Sequence, residues 1–268
     1  MSKELIQKAR KLAQEIVAPI TESVDKEGCF PKEAYDALKK QGFMGLLVPK
    51  EFGGLGFSII EHTGVCYELA RKDATTGLCY MMHNTGTSGI VSFGSAAMKD
   101  EFLPKIAKGE RAIALAYSES GSGTHFGLPD ISESLENGVR VLNGRKSFVT
   151  SALQADFYMT NTNSCKIKGA HNTWLVDRTL PNMIHEDSAW DGLGMRGNAS
   201  MPVQYNGVRV DEKYLVGKEG DGGNHAIAIV MYFVVGLAAV YTGLAQAAYE
   251  CILEHTKKRK YTSGQALS

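Results

Sequence analysis

The sequence predicts an α+β protein of several domains. An N-terminal α-helical domain is expected over 1–112, a middle β-barrel or sandwich domain over 113–225, and the start of a C-terminal helical bundle over 226–268. Three observations predict this order. Apolar residues recur at helical spacing through residues 1–110. Alternating runs broken by Asn-Gly pairs take over from residue 113. A run of 24 residues without a charge then occupies 226–249. The chain has 268 residues, 44% of them apolar, which is enough for a sizeable core.

In the first segment Leu5, Ile6, Ala9, Leu12, Ala13, Ile16 and Val17 share one helical face, and Pro19 is expected to end the helix. A second helix starts at Pro31 and carries Tyr35 and Leu38 on one side. Gly53, Gly54 and Gly56 make "VPKEFGGLGFS" a loop. Helix returns over 60–72 and over about 84–108. "RAIALAYSE" then reads as a strand, and "GVRVLNGRKSFVTS" as a hairpin turning at Asn143-Gly144. "ADFYMTNTN", "HNTWLVD" and "MPVQYNGVRV" are further strands, the last bent at Asn206-Gly207. The uncharged run 226–249 is long enough to span a bilayer. Its Tyr232, Tyr241, Thr242, Gln246 and Tyr249, and the preceding "GKEGDGGNH" without an aromatic belt, favour a buried helix over a membrane span. Such a helix needs a cover, from another chain or from further residues.

Lys plus Arg and Asp plus Glu number 29 each, so no net field favours nucleic acid. The five cysteines form no CxxC pair and the seven histidines are scattered, so reduced thiols in a cytoplasmic protein and no metal are expected. The N-terminus is amphipathic and charged, unlike a signal peptide. The segment "AYSESGSGTH" stands out. Tyr117, Ser118, Ser120 and Ser122 surround Glu119 at a strand end, with glycines beside them. Backbone N–H groups and small hydroxyls there suit a phosphate or a polar cofactor edge. A surface turn has the same composition, and composition alone favours the turn.

Five stretches in order carry a resemblance: "VPKEFGGLGFS", "FLPKIAKGERAIALAYSESGSGTH", "LNGRKSFVTSA", "GLGMRGNASMPVQYNGVRVDEKYLVGKEGDG" and "GLAQAAYECILEHTKKRKYTSGQAL". Together they resemble the acyl-CoA dehydrogenase family of flavoproteins along the whole chain. The resemblance implies FAD as cofactor, an acyl-CoA substrate, an electron-transfer flavoprotein or similar acceptor, a role in fatty acid metabolism, and a homotetramer or homodimer. It also implies site residues. Tyr117 and Ser118 would meet the pyrimidine side of the flavin with backbone and hydroxyl groups. Gly123 would let the chain pass close, and Thr124 would lie near the thioester or pantetheine arm. Phe148 takes the place of a ring-packing tryptophan, and Thr150 that of a hydroxyl near flavin N5. Arg259 matches an arginine that reaches the FAD pyrophosphate of a neighbouring subunit. His125 departs from the family's aspartate, and "YTSGQ" from the Phe-Gly that follows the arginine. Arg196 reads as a strand–loop anchor.

The implied chemistry is removal of the α-proton of an acyl thioester with transfer of the β-hydride to flavin N5. The proton needs a carboxylate base. Most members carry it as a Glu in the second half of the C-terminal helical domain, expected beyond residue 268. A minority carry it early in the long helix, where this chain has Met231, Tyr232 and Phe233. The nearest acids, Glu219 and Asp221, lie in a glycine-rich linker, so no base is assigned. Two other readings stand beside this one: a flavin-dependent monooxygenase of the same fold, and a non-catalytic binding or assembly protein that keeps the fold.

Overall fold

The computed structural model describes residues 2–125, 127–186, 190–259 and 262. Helix α1 (Ser2–Leu12) passes through a π turn at Ala13–Val17 into α2 (Ala18–Glu27). The helix therefore does not stop at Pro19. Pro19 falls in the first turn of α2, and the widened turn before it accommodates the ring and the missing N–H. Gly28, at φ +63°, ends α2. Helix α3 (Lys32–Lys40) buries Ala34, Tyr35 and Leu38. Helix α4 (Ile59–Ala70) opens on a Ser58/Glu61 capping box.

The helix expected over 84–108 is two helices, α5 (Ala74–Phe93) and α6 (Ala96–Ala107). The break is chemical. Ser95 caps α6 by accepting the Met98 N–H, and a Cβ at Gly94 would meet the Ile90 carbonyl oxygen at 2.6 Å. The start of α5 escapes a periodicity reading because small polar residues are buried along it. They satisfy themselves within the helix: Thr85 donates to Met81 O at 3.0 Å and Thr87 to His83 O at 2.8 Å.

Among the described residues seven strands form one curled sheet: β1 (Ile113–Ala116), β2 (Ser132–Glu136), β3 (Val139–Val149), β4 (Phe157–Asn163), β5 (His171–Asp177), β6 (Met183–His185) and β7 (Met201–Val210). Strands β1 and β2 lie end to end along β4, parallel to it, and β5 pairs its other edge antiparallel. The order continues from β2 through β3 and β7 to β6. The expected turn at Asn143-Gly144 is not a turn, because β3 runs straight through it. The hairpin lies at Asn137-Gly138, both at positive φ (51° and 80°), as a type I′ turn requires. Gly144 serves a different need: a Cβ there would lie 2.9 Å from Ile131 Cα. The expected bend at Asn206-Gly207 is a bulge, since Leu142 pairs with Val208 and Asn143 with Asn206.

Period-two alternation divides the sheet's side chains between two cores. Ile113, Leu115, Phe157, Met159 and Leu175 join the helical core. Ala114, Ala116, Tyr158, Trp174 and Val176 fill the inside of the curl with Leu142, Val203 and Tyr205. Helix α7 (Gly222–Lys258) returns across the helical domain and packs on α4 and α5. Close approach is possible because Gly236 faces His62 and Met81, and Gly243 faces the Tyr67 carbonyl and Ala70. The fold class is thus α+β, with helical, curled-sheet and helical parts in that order.

Candidate functional site

The three parts meet around a cavity of about 810 Å³. Thr75, Leu78 and Met82 of α5 form one wall, and Phe233, Leu237 and Tyr241 of α7 another. Strand β3 contributes Phe148, the turn just past it Thr150, the segment after β1 Ser118, and the loop before β7 Trp190, Met195, Asn198 and Ser200. A cavity of this size, more apolar than polar, with hydroxyl and amide groups and the charged side chains of Glu22, Asp25, Lys26, Lys72 and Asp73 on its lining, is of the kind that takes a cofactor or small molecule.

The end of β1 and the end of β3 are bound together. The Ser147 N–H donates to Ser118 O at 2.8 Å. Beneath that bond Lys146, fully buried, pairs with the Glu119 carboxylate and donates to Asn161 O and Oδ1, both at 2.8 Å. Glu119 also accepts the N–H groups of Asp130 and Ile131, so it ties both ends of the serine-rich loop to one point. Burial pulls the Lys146 ammonium down to about 8, against the pull of Glu119. Strict alternation would turn Phe148 inward beside Lys146, but the pairing of β3 with β7 shifts register between Lys146 and Val149, and past that irregularity Phe148 is 55% exposed on the cavity wall. Thr150 Oγ1 and Ser200 Oγ lie 3.0 Å apart, and Asn198 Oδ1 accepts the Ser200 N–H at 2.8 Å. Ser151, Met195 and Ala199 all hold positive φ (62°, 51° and 51°) around this contact. Left-handed backbone at three non-glycine residues marks a place where surroundings override local preference.

The structure brings together Ser118, Phe148 and Thr150. Tyr117 goes elsewhere: its side chain is buried in the helical core, its hydroxyl is without a hydrogen-bond partner, and burial pushes the phenol up to about 12. Only its backbone faces the strand end, because the alternation of Ile113 and Leu115 continues through it. Gly123 and Thr124 are exposed in the loop beyond and do not line the cavity, and His125 joins them there. Arg259 caps the far end of α7, twelve residues past Ala247, which is on the cavity. Glu219 is held by Arg140, Ser164 and Asn172, and Asp221 precedes α7, so neither reaches the cavity. The described carboxylates on the cavity are Glu22, Asp25 and Asp73. Asp73 caps α5 through the N–H groups of Thr75 and Thr76, and burial raises its pKa against those bonds.

Sequence reasoning missed Trp190, Asn198 and Ser200. The density of Gly192, Gly194 and Gly197 was the available signal: a Cβ at Gly197 would lie 2.0 Å from Cys29 O, and one at Gly192 would meet the Trp190 ring. The backbone of Arg196 packs beside Gly28, in keeping with an anchor. An exposed phenyl plate flanked by the Ser118 and Thr150 hydroxyls fits a planar heteroaromatic ring with a polar edge, as a flavin has.

Known proteins are similar to this chain in sequence and share its architecture. Residues 2–110 match the acyl-CoA dehydrogenase N-terminal domain, and residues 114–208 the acyl-CoA dehydrogenase middle domain. An acyl-CoA dehydrogenase of Bacillus subtilis (strain 168) is 30% identical over 253 residues, 93% of this chain and 66% of that protein. The human mitochondrial short-chain specific acyl-CoA dehydrogenase is 29% identical over 262 residues, 95% of this chain and 62% of that protein. The chain thus spans about two thirds of the length of these relatives. Butyryl-CoA dehydrogenase from Megasphaera elsdenii has the same fold, with a TM-score of 0.93 over 99% of this chain and 71% of its own, at 24% identity. Two domain matches in sequence order, a relative 30% identical over most of the chain and a shared fold leave one conclusion: the chain belongs to the acyl-CoA dehydrogenase family.

Proposed function

We propose that the protein dehydrogenates an acyl-CoA thioester between its α and β carbons, with FAD as cofactor. One observation carries the reading: Ser118, Phe148 and Thr150, from two separate motifs, line a single cavity. When bound, FAD supplies the acceptor for the β-hydride. The protein's own residues do the rest. Ser118 offers a hydroxyl to the polar edge of the ring, and Phe148 packs against its face. Thr150 presents a hydroxyl whose direction Ser200 holds. Fixed donors of this kind favour charge developing on the ring without reorganising. Leu78, Met82, Phe233 and Leu237 offer an apolar wall to the acyl chain and keep water from it. Asp73 is occupied in capping α5, and no base is assigned among the described residues.

An electron-transfer flavoprotein or similar acceptor is the proposed partner, and fatty acid metabolism the setting. We propose a homotetramer or homodimer formed through the outer face of α7. Ile227, Met231 and Val234, spaced on one helical face and each more than half exposed, support this. Arg259 would then serve a neighbouring subunit's cofactor. The helix is also long and apolar enough to cross a membrane. Its packing on α4 and α5 through Gly236 and Gly243 supports the oligomer instead. Five free cysteines, Cys66 and Cys79 among them buried, support a reducing, cytoplasmic location.

The test is anaerobic addition of short-, medium- and branched-chain acyl-CoAs to the purified protein with FAD. Loss of the oxidised flavin absorbance is expected with at least one thioester. A colourless protein that binds no FAD overturns the reading. A flavin that no thioester bleaches, but that supports reductase-driven oxygen uptake, moves the protein to the monooxygenases.

A further inference from the structure

Trp190 has no part in the reading above, yet its indole stands on the cavity wall beside Phe148. The two rings meet edge to face, with centroids 5.7 Å apart and planes at 86°. Local structure sets that pose. The indole N–H points at the Gly194 carbonyl, a long contact of 3.4 Å. Gly192 leaves the room: a Cβ there would lie 2.4 Å from Nε1 and 2.6 Å from Cε2. The segment therefore folds back so that the indole lies against bare backbone. Its alternative would be a ring free in solvent. An aromatic pair held this way on a cavity wall is apolar area that a ligand can cover.

We propose that Trp190 is a flavin-contacting residue that walls the ring system beside Phe148. The inference rests on the FAD reading and goes beyond it, since neither the sequence motifs nor the comparisons assign this residue. Phe148 stands where the motif has a tryptophan, and a phenyl covers less of a three-ring system than an indole does. Trp190 supplies the missing aromatic area from another loop. Because its plane is perpendicular to that of Phe148, it does not stack on the same face. With Phe148 flat against the ring, the indole closes the cavity along the ring's edge.

The experiment compares wild type, Trp190→Phe and Trp190→Ala in FAD titrations, with far-ultraviolet circular dichroism as the check on folding. An indole in contact with a flavin quenches its fluorescence by electron transfer, and a phenyl does not. The other tryptophan, Trp174, is buried inside the sheet with its N–H on Glu133 and is the same in all three proteins. In Trp190→Phe the bound flavin should brighten severalfold at nearly unchanged affinity. In Trp190→Ala the FAD affinity should fall about tenfold, the scale of one well-packed aromatic contact. Iodide should also quench that variant's bound flavin more readily. If Trp190→Ala does not fold, the brightness of Trp190→Phe decides alone. Wild type that binds FAD while brightness, iodide access and affinity stay unmoved in the variants overturns the assignment and leaves the FAD reading standing. Variants that weaken only acyl-CoA binding likewise overturn it and move the indole to the substrate. Wild type that binds no FAD overturns both.

Discussion

Glu119 sits at the centre of a serine-rich loop, yet its carboxylate points inward, to Lys146 and two backbone N–H groups. The loop that carries Ser118 is thereby fastened to the strand that carries Phe148 and Thr150. The pair holds the spacing of site residues from below without lining the cavity itself. Lys146→Met leaves a buried carboxylate without its cation, a change worth about 3–5 kcal/mol of stability. In Lys146→Met/Glu119→Gln the uncompensated charge is gone, and the amide still serves the loop N–H groups. Urea unfolding should therefore find the double variant more stable than Lys146→Met alone. Equal or lower stability of the double variant would dissolve the coupling. Little of this is legible in "NGRKSF", where Lys146 follows Arg145 and reads as a second surface charge. Phe148 and Thr150 are legible because their own neighbours spell the motif.

At the scale of elements, α7 decides how the helical parts meet. Its surface toward α4 and α5 carries two glycines where backbone comes close. A Cβ at Gly243 would lie 2.6 Å from the Tyr67 carbonyl oxygen and 3.1 Å from the Arg71 nitrogen, neither of which can turn aside. Alanine is a better helix former than glycine by about 1 kcal/mol, so helix propensity alone predicts that Gly243→Ala stabilises. The packing predicts the reverse, a loss of about 1–3 kcal/mol as α7 is pushed off α4. Thermal unfolding reads the sign directly, and a raised midpoint would show that the helices are not in this register. The same scale explains the displaced hairpin. Three Asn-Gly pairs compete as turns, and their local chemistry is alike. Only Asn137-Gly138 lies where two strands have partners on both sides of it.

For the whole molecule, two buried histidines join the parts. His83 Nε2–H donates to Met44 O at 3.0 Å, and its Nδ1 accepts the Ile113 N–H at 3.2 Å, so the helical domain holds the first strand through a neutral ring. His62 lies under α7, edge to face with Tyr232 and beside Gly236. Burial lowers both from 6.5 to about 4. A folded pKa below the unfolded one means that the unfolded chain binds protons first as pH falls. The stability these rings contribute is whole above pH 6.5 and drains away between 6.5 and 4, on the order of 3 kcal/mol each. The unfolding midpoint should drop through that window, and His83→Gln should flatten the drop. A midpoint level from pH 6.5 to 4 in wild type would contradict the neutral, buried rings.

The sequence by itself determined the class of each part and the family that its motifs spell. Each of these depends on residues a few positions apart: helical period, alternation, turn chemistry and short motifs are local properties of the chain. Tertiary structure alone decided that Tyr117 turns from the cavity while Ser118 enters it. It also decided that Pro19 passes within a helix, that Lys146 and Glu119 are buried together, and that Trp190 leans on Phe148. These outcomes depend on groups tens of residues apart, on which face of a strand meets which core, and on backbones close enough that one Cβ changes the answer. Such distances are set by packing, which weighs the whole chain at once.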